Sequence, residues 1–203
     1  MSIRKTIIVL VTLVGLALAS AACSGSVSTG GSSASPAGTR TYSNAQYGFS
    51  ITYGPDFKQG TTSGGSSSGS GSIFDIAFAY MSGAKQGTSY TDGVQVSVYK
   101  LAHSVKPAEV PKLKKEFAGL VGNLMGSLSG AKVSQKLSLA QINGVPGYKL
   151  GYVYTQNGTP IAAVTYFLLK GQYEYQVTGQ AGKDDWATAS PKIQAVVESF
   201  TVK

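Results

Sequence analysis

One cysteine, one histidine and nine acidic residues are the whole stock of the usual catalytic and metal-binding side chains in this 203-residue chain. With Cys23 alone, no disulfide can form within the chain, so stability must come from an apolar core. Every His-based triad or metal cluster would depend on His103, which follows an apolar run and precedes Pro107, and reads as an exposed loop imidazole. The acids are too scattered to gather the several oxygen ligands that a cation site requires. No apolar run reaches the roughly 20 residues of a comfortable transmembrane helix. Basic residues outnumber acidic ones by 17 to 9, yet they are not interleaved with aromatics in a stripe, so nucleic acid is not an expected partner.

What the chain does have is strongly segmented. Arg4 and Lys5 precede an apolar run from Ile7 to Ala19, and small residues then lead into Cys23. A short positive segment, a short apolar segment and a small-residue site are the three parts of an export signal. This arrangement resembles a bacterial lipoprotein signal, with Ala21 and Ala22 matching and Ser20 standing where leucine is usual. The resemblance implies cleavage after residue 22, a lipid on the Cys23 sulfur, and a domain held outside the cytoplasm on a bacterial membrane. Cleavage elsewhere, with Cys23 merely nearby, is the alternative. Without residues 1–22 the chain keeps fifteen basic and nine acidic residues, a net charge of +6.

The expected organisation is a signal at 1–22, a lipidated cysteine and tether at 23–41, and one domain at 42–203. Ser24 to Gly38 is almost entirely Ser, Gly, Ala and Thr, a composition that cannot offset its ordering entropy by burial. Such a tether spans on average about 20–25 Å. A second Ser/Gly tract at 60–72 is expected to be a mobile loop inside the domain.

Within the domain, Phe49, Ile51 and Tyr53 alternate with polar residues and predict a half-buried strand, and 73–80 and 93–101 predict two more. Val110, Leu113, Phe117, Leu120, Val121, Leu124 and Leu128 recur every three or four residues, predicting one helix over 107–129. Gly119, Gly122 and Gly126 weaken it, or permit close packing on a sheet. Four β runs follow at 133–142, 147–155, 160–169 and 172–179, separated by Asn143-Gly144, Asn157-Gly158 and Gly171. Ser190-Pro191 predicts the start of a final helix. The sum is an α+β domain, an antiparallel sheet flanked by helices.

Motif matches to catalysis are weak. Ser82-Gly-Ala-Lys85 and Ser129-Gly-Ala-Lys132 lack the companion elements of serine acyl-enzymes, and Gly65-Ser-Ser-Ser-Gly69 lies in a Ser/Gly tract without a flanking strand and helix. Asp184-Asp185 reads as a helix cap or dipole partner. The twelve tyrosines are the remaining anomaly. Sheet packing is the simpler role, and Tyr152, Tyr154, Tyr173 and Tyr175 are the candidates for a binding surface, since a tyrosine can bury its ring and keep its hydroxyl wet.

Together, Tyr47-Gly48-Phe49-Ser50-Ile51-Thr52-Tyr53, the Asn143-Gly144-Val145-Pro146-Gly147-Tyr148 turn and the closing Val196-Val197-Glu198-Ser199-Phe200 resemble the PsbP-like family, whose fold is shared with a Ran-binding nuclear import factor. In the first of these, Gly54 intrudes before Pro55, with Phe57 completing the pattern. The resemblance implies an antiparallel sheet flanked by helices and an accessory or assembly role without catalysis or cofactor. The resulting expectation is a non-catalytic, lipid-anchored accessory or binding protein, joined to the membrane through Cys23 and to a protein partner. A carrier of a small hydrophobic ligand, with a pocket between sheet and helix, is one alternative. A serine-dependent hydrolase is another.

Overall fold

The computed structural model describes residues 38–60, 63–64, 71–86 and 89–203. The expected signal, Cys23 and nearly all of the expected tether lie outside the described residues, as does the Gly65–Gly69 string. Strands β1 (Arg40–Asn44), β2 (Phe49–Tyr53), β3 (Phe57–Gln59), β4 (Ser63–Gly64), β5 (Phe74–Tyr80), β6 (Lys85–Gln86), β7 (Ser89–Tyr90) and β8 (Gly93–Val105) come first. A 3-10 helix (Pro107–Leu113) then runs into α1 (Lys114–Ser127). Strands β9 (Lys132–Ile142), β10 (Val145–Gln156) and β11 (Thr159–Gly182), helix α2 (Trp186–Glu198) and β12 (Thr201–Val202) complete the order.

The main antiparallel sheet runs β3-β5-β8-β11-β10-β9, with β4 also on β5. Asn143 and Gly144 (φ 46° and 80°) and Asn157 and Gly158 (φ 49° and 83°) both hold the doubly left-handed turn that matches the twist of the strands they join. The Asn143 side chain has a second task, donating to the carbonyls of Glu198 and Phe200, each at 2.8 Å. Strand β11 doubles back on itself at Gly171, whose φ is +60°. Lys183 N–H donates to Pro160 O at 2.9 Å, and the Thr165 and Thr178 hydroxyls meet at 2.8 Å. The arm before Gly171 pairs with β10 and the arm after it with β8, so the four β runs read from the sequence are present.

Two apolar cores lie on opposite faces of this sheet. On one face, Phe74, Ile76, Phe78, Val94, Val96, Val98, Tyr175 and Val177 meet α2 through Ile193, Val196 and Val197, together with the small sheet β1-β2-β12. Helix α2 lies so close that a Cβ on Gly179 would come within 2.5 Å of the Ile193 side chain. Phe200 stacks on Phe49 at 5.5 Å, and β12 then pairs with β2. On the other face, Val110, Phe117, Leu120 and Leu124 pack on Tyr148, Leu150, Ile161, Phe167 and Leu169.

Several boundaries differ from the sequence reading. Arg40 and Thr41 belong to β1 rather than to the tether, paired with Tyr53 and Thr52. Ser63 and Gly64, inside the expected loop, form β4. The helix read over 107–129 divides at Leu113, because Pro111 supplies no N–H and the first turns tighten to 3-10 geometry. His103 stands exposed on β8 rather than in a loop. Helix α2 begins at Trp186, leaving Pro191 exposed at its sixth residue, where the Ala187 carbonyl receives no helical N–H.

Gly119, Gly122 and Gly126 have no atom within 4 Å of where a Cβ would stand, so they weaken α1 without serving close packing. Each Gly→Ala substitution should therefore raise stability by about 0.5–1 kcal/mol, visible as a higher urea midpoint at unchanged slope. A lowered midpoint at any of the three would show that the glycine has a packing role.

Candidate functional site

A cavity of about 310 Å³ lies between α1 and the sheet. Leu101 and Val105 from the end of β8, Leu169 and Glu174 from the two arms of β11, Leu113, and the Glu116, Phe117, Gly119, Leu120 and Asn123 positions of α1 line it. Its volume is at the lower end of the roughly 300–1,000 Å³ typical of small-molecule sites. The cavity sits where pairing becomes irregular, since Tyr173 is opposite Lys100 but Gly171 is opposite Val105. The extra β8 residues interrupt the regular pairing there, and α1 presents Gly119 and Asn123, rather than large apolar side chains, to part of the space.

Glu174 is the chemical feature of the cavity. It is 1% exposed, it stands opposite Tyr99 in the β8–β11 pairing, and no Lys or Arg lines the space. Its only hydrogen-bond partner among the described residues is Gln176, whose side-chain N–H donates to Oε1 at 2.7 Å. Burial disfavours the charged form and pushes the carboxyl pKa up to about 7, with the Gln176 hydrogen bond opposing the rise. The Tyr99 hydroxyl is held well above its usual range by burial first and by the negative charges of Asp75 and Glu174 next. A buried acid without a counter-charge, facing a cavity of mixed apolar and polar lining, is the combination expected of a ligand site rather than of a structural ion pair. The only ion pair among the described residues is Lys192–Asp56 at 2.6 Å, on the surface.

The tyrosine candidates require a correction. Tyr152, Tyr154 and Tyr175 are core residues, at most 5% exposed. Both faces of the inner strands are covered, so alternation places every one of these rings against a neighbour. The Tyr152 hydroxyl bonds to Thr165 at 3.2 Å, Tyr154 donates to Gln180 Oε1 at 3.1 Å, and Tyr175 donates to the Tyr47 carbonyl at 2.7 Å. Tyr173 is half-buried, edge-on to Tyr47 at 5.8 Å. The four therefore form no common surface; three of them satisfy their hydroxyls inside the fold.

Among the described residues, no group of three His, Cys, Asp or Glu side chains is placed to hold a metal ion. Ser82 and Ser129 lie exposed in turns. Glu174 escaped the sequence reading, although a signal was there: in Gln172-Tyr-Glu-Tyr-Gln-Val177 the acid alternates with residues that face one core, inside a strand flanked on both sides.

With helices on both faces of a twisted antiparallel meander and a small sheet closed by the last strand, the chain has the PsbP-like fold. Among solved structures, cyanobacterial PsbP from Synechocystis superposes with a TM-score of 0.56 at 15% identity, covering 87% of this chain and 98% of that one. LpqN of Mycobacterium tuberculosis, a protein involved in cell envelope biogenesis, superposes with a TM-score of 0.53 at 17% identity, covering 81% of this chain and 90% of that one. At such identities the likeness is one of architecture. No family model and no curated protein matches the sequence.

Proposed function

We propose that this chain is a non-catalytic, lipid-anchored binding protein of the bacterial envelope whose domain holds a small, largely apolar ligand in the cavity beneath α1. The observation that carries the reading is that cavity, with six apolar side chains and a single buried carboxyl group in its lining. The N-terminal pattern ending at Cys23 supports the anchor, and the likeness to LpqN agrees with an envelope role. Exchange through the sheet–helix seam suits a weak helix, and α1 carries three glycines. No helix among the described residues is long and apolar enough to cross a membrane.

Two measurements test this reading. In cells fed labelled palmitate, the wild-type chain should take up label and Cys23→Ala should not; label retained by the variant rejects the anchor. A neutral apolar probe such as octanol should bind saturably and raise the unfolding temperature. Absence of any saturable binding by apolar probes rejects the carrier reading.

A second reading, an accessory protein for another protein, draws on β9. This edge strand leaves Val133 and Leu139 exposed at 45% and 57%, with an open row of backbone groups available for strand addition. Loss of a co-purifying envelope protein on Leu139→Lys would favour it.

A further inference from the structure

We infer that the cavity selects amphipathic cations, amines with a small apolar body, and that the ammonium head is received by Glu174. This rests on the carrier reading above and adds to it the chemical class of the ligand. Three observations support it. The first is acceptor capacity. A carboxylate offers about four lone-pair sites, and Gln176 uses one of them, on Oε1, leaving Oε2 without a protein donor among the described residues. An ammonium group brings three N–H donors and no acceptor, which is the complement of that vacancy.

The second is charge. Taking an unpaired carboxylate out of water is costly, and the cost is relieved by a cation at hydrogen-bond distance. The protein supplies none: no Lys or Arg lines the cavity in a chain that has 17 of them. The groups that face Glu174 share its sign or stay neutral. Glu116 stands on the α1 side of the cavity. On β8, Tyr99 is held protonated, and Asp75 of β5 is near enough to act on that same tyrosine. Leu113 is the contribution of the 3-10 helix to the lining and has no charge. In a chain of net charge +8, the charged groups lining this cavity are thus both acidic.

The third is shape. Leu101, Val105, Leu113, Phe117, Leu120 and Leu169 provide the apolar part of a lining completed by Glu116, Asn123 and Glu174, in a cavity that is open on one side. A bare metal ion or a polyamine would gain nothing from it, whereas an alkyl or aromatic amine would bury its body there. Binding should also depend on pH. Above the range in which Glu174 titrates, the site meets the cation already ionised; below it, the ligand must displace a proton, and affinity falls by up to about tenfold per pH unit.

Calorimetry on the full chain with Cys23→Ala, comparing octylamine with octanol, tests the inference. An alkyl amine, like the lysine side chain, stays cationic up to about pH 10, so any change below that belongs to the protein. At pH 8 octylamine should bind about tenfold more tightly than octanol, as a charge-assisted bond predicts. The preference should shrink at pH 5.5 and vanish in Glu174→Gln. The wild-type pH series stands as the test should that variant fail to fold. Octanol binding as tightly as octylamine at pH 8, or a preference that survives Glu174→Gln, overturns the selection of cations while leaving the cavity a binding site. Failure of both probes removes the carrier reading, and the inference with it.

Discussion

Replacing Asp92 with alanine should cost about 4 kcal/mol of stability, a large part of the margin of a domain this size. Asp92 is fully buried, and its carboxylate is a three-way clip. Oδ2 accepts from Ala84 N at 3.1 Å, while Oδ1 accepts from the Thr91 hydroxyl and from Gly182 N, both at 2.9 Å. Through Asp92 those donors tie the turn after β5 to the far end of β11, where Gly182 lies 90 residues beyond Asp92. Cutting the side chain to a methyl group strands the buried Gly182 N–H and the part-buried Ala84 N–H and leaves a cavity, and a stranded buried donor alone costs about 1–3 kcal/mol. Asp56 is the contrasting case. Its pair with Lys192 is short, at 2.6 Å, but both side chains are about half exposed, so solvent screens the attraction and Asp56→Ala should change little. Urea unfolding of the two variants side by side checks the ranking; equal losses would mean that the buried clip has no special weight.

Glu174→Gln should do the reverse and stabilise the ligand-free protein by about 3 kcal/mol at pH 8. The unfolded chain releases this proton near the ordinary glutamate value, about 4.3, whereas the folded chain holds it until about pH 7. Between those values the folded state binds more protons than the unfolded one, so stability declines as pH rises from roughly 4.5 to 7 and is flat above. An isosteric amide cannot ionise, removes that slope, and can still accept from Gln176. The expected signature is a wild-type midpoint that falls between pH 5 and pH 8 and a variant midpoint that does not. Parallel pH profiles would show that Glu174 is solvated or already paired, and the candidate site would lose its chemistry. A residue that lowers stability in the absence of ligand is what a binding site retains when stability and recognition compete.

Local rules carried much of this fold in plain view. Asn143-Gly144 and Asn157-Gly158 declare their hairpins because few other pairs adopt two positive φ values, and the Phe49–Tyr53 alternation declares a strand with one buried side. Pairings far apart in sequence were not legible. The small sheet needs Thr201 opposite Ser50, a contact across most of the domain, and nothing near either residue announces it. Pro191 misled for a related reason: a proline after serine suits a helix start, but here the apolar positions 193, 196 and 197 pull the helix onto β11 from Trp186 onward, and tertiary packing offsets the missing N–H. For the tyrosines, sequence leaves packing and a binding surface both open, because a single strand does not show whether its second face is covered. Glu174 is not legible in sequence, because an acid between tyrosines reads as a solvent-facing position until the strand is known to be interior.

A ligand should bind in the cavity under α1 and nowhere else on the domain. Amide and side-chain methyl resonances of the full chain, followed by NMR during an octanol titration, test that without reference to charge. Saturable shifts should concentrate on Leu101, Val105, Leu113, Leu120, Leu169 and the amide of Glu174, with the β9 positions Val133 and Leu139 unmoved. Shifts confined to β9, or shifts that rise linearly without saturation across the surface, would contradict it.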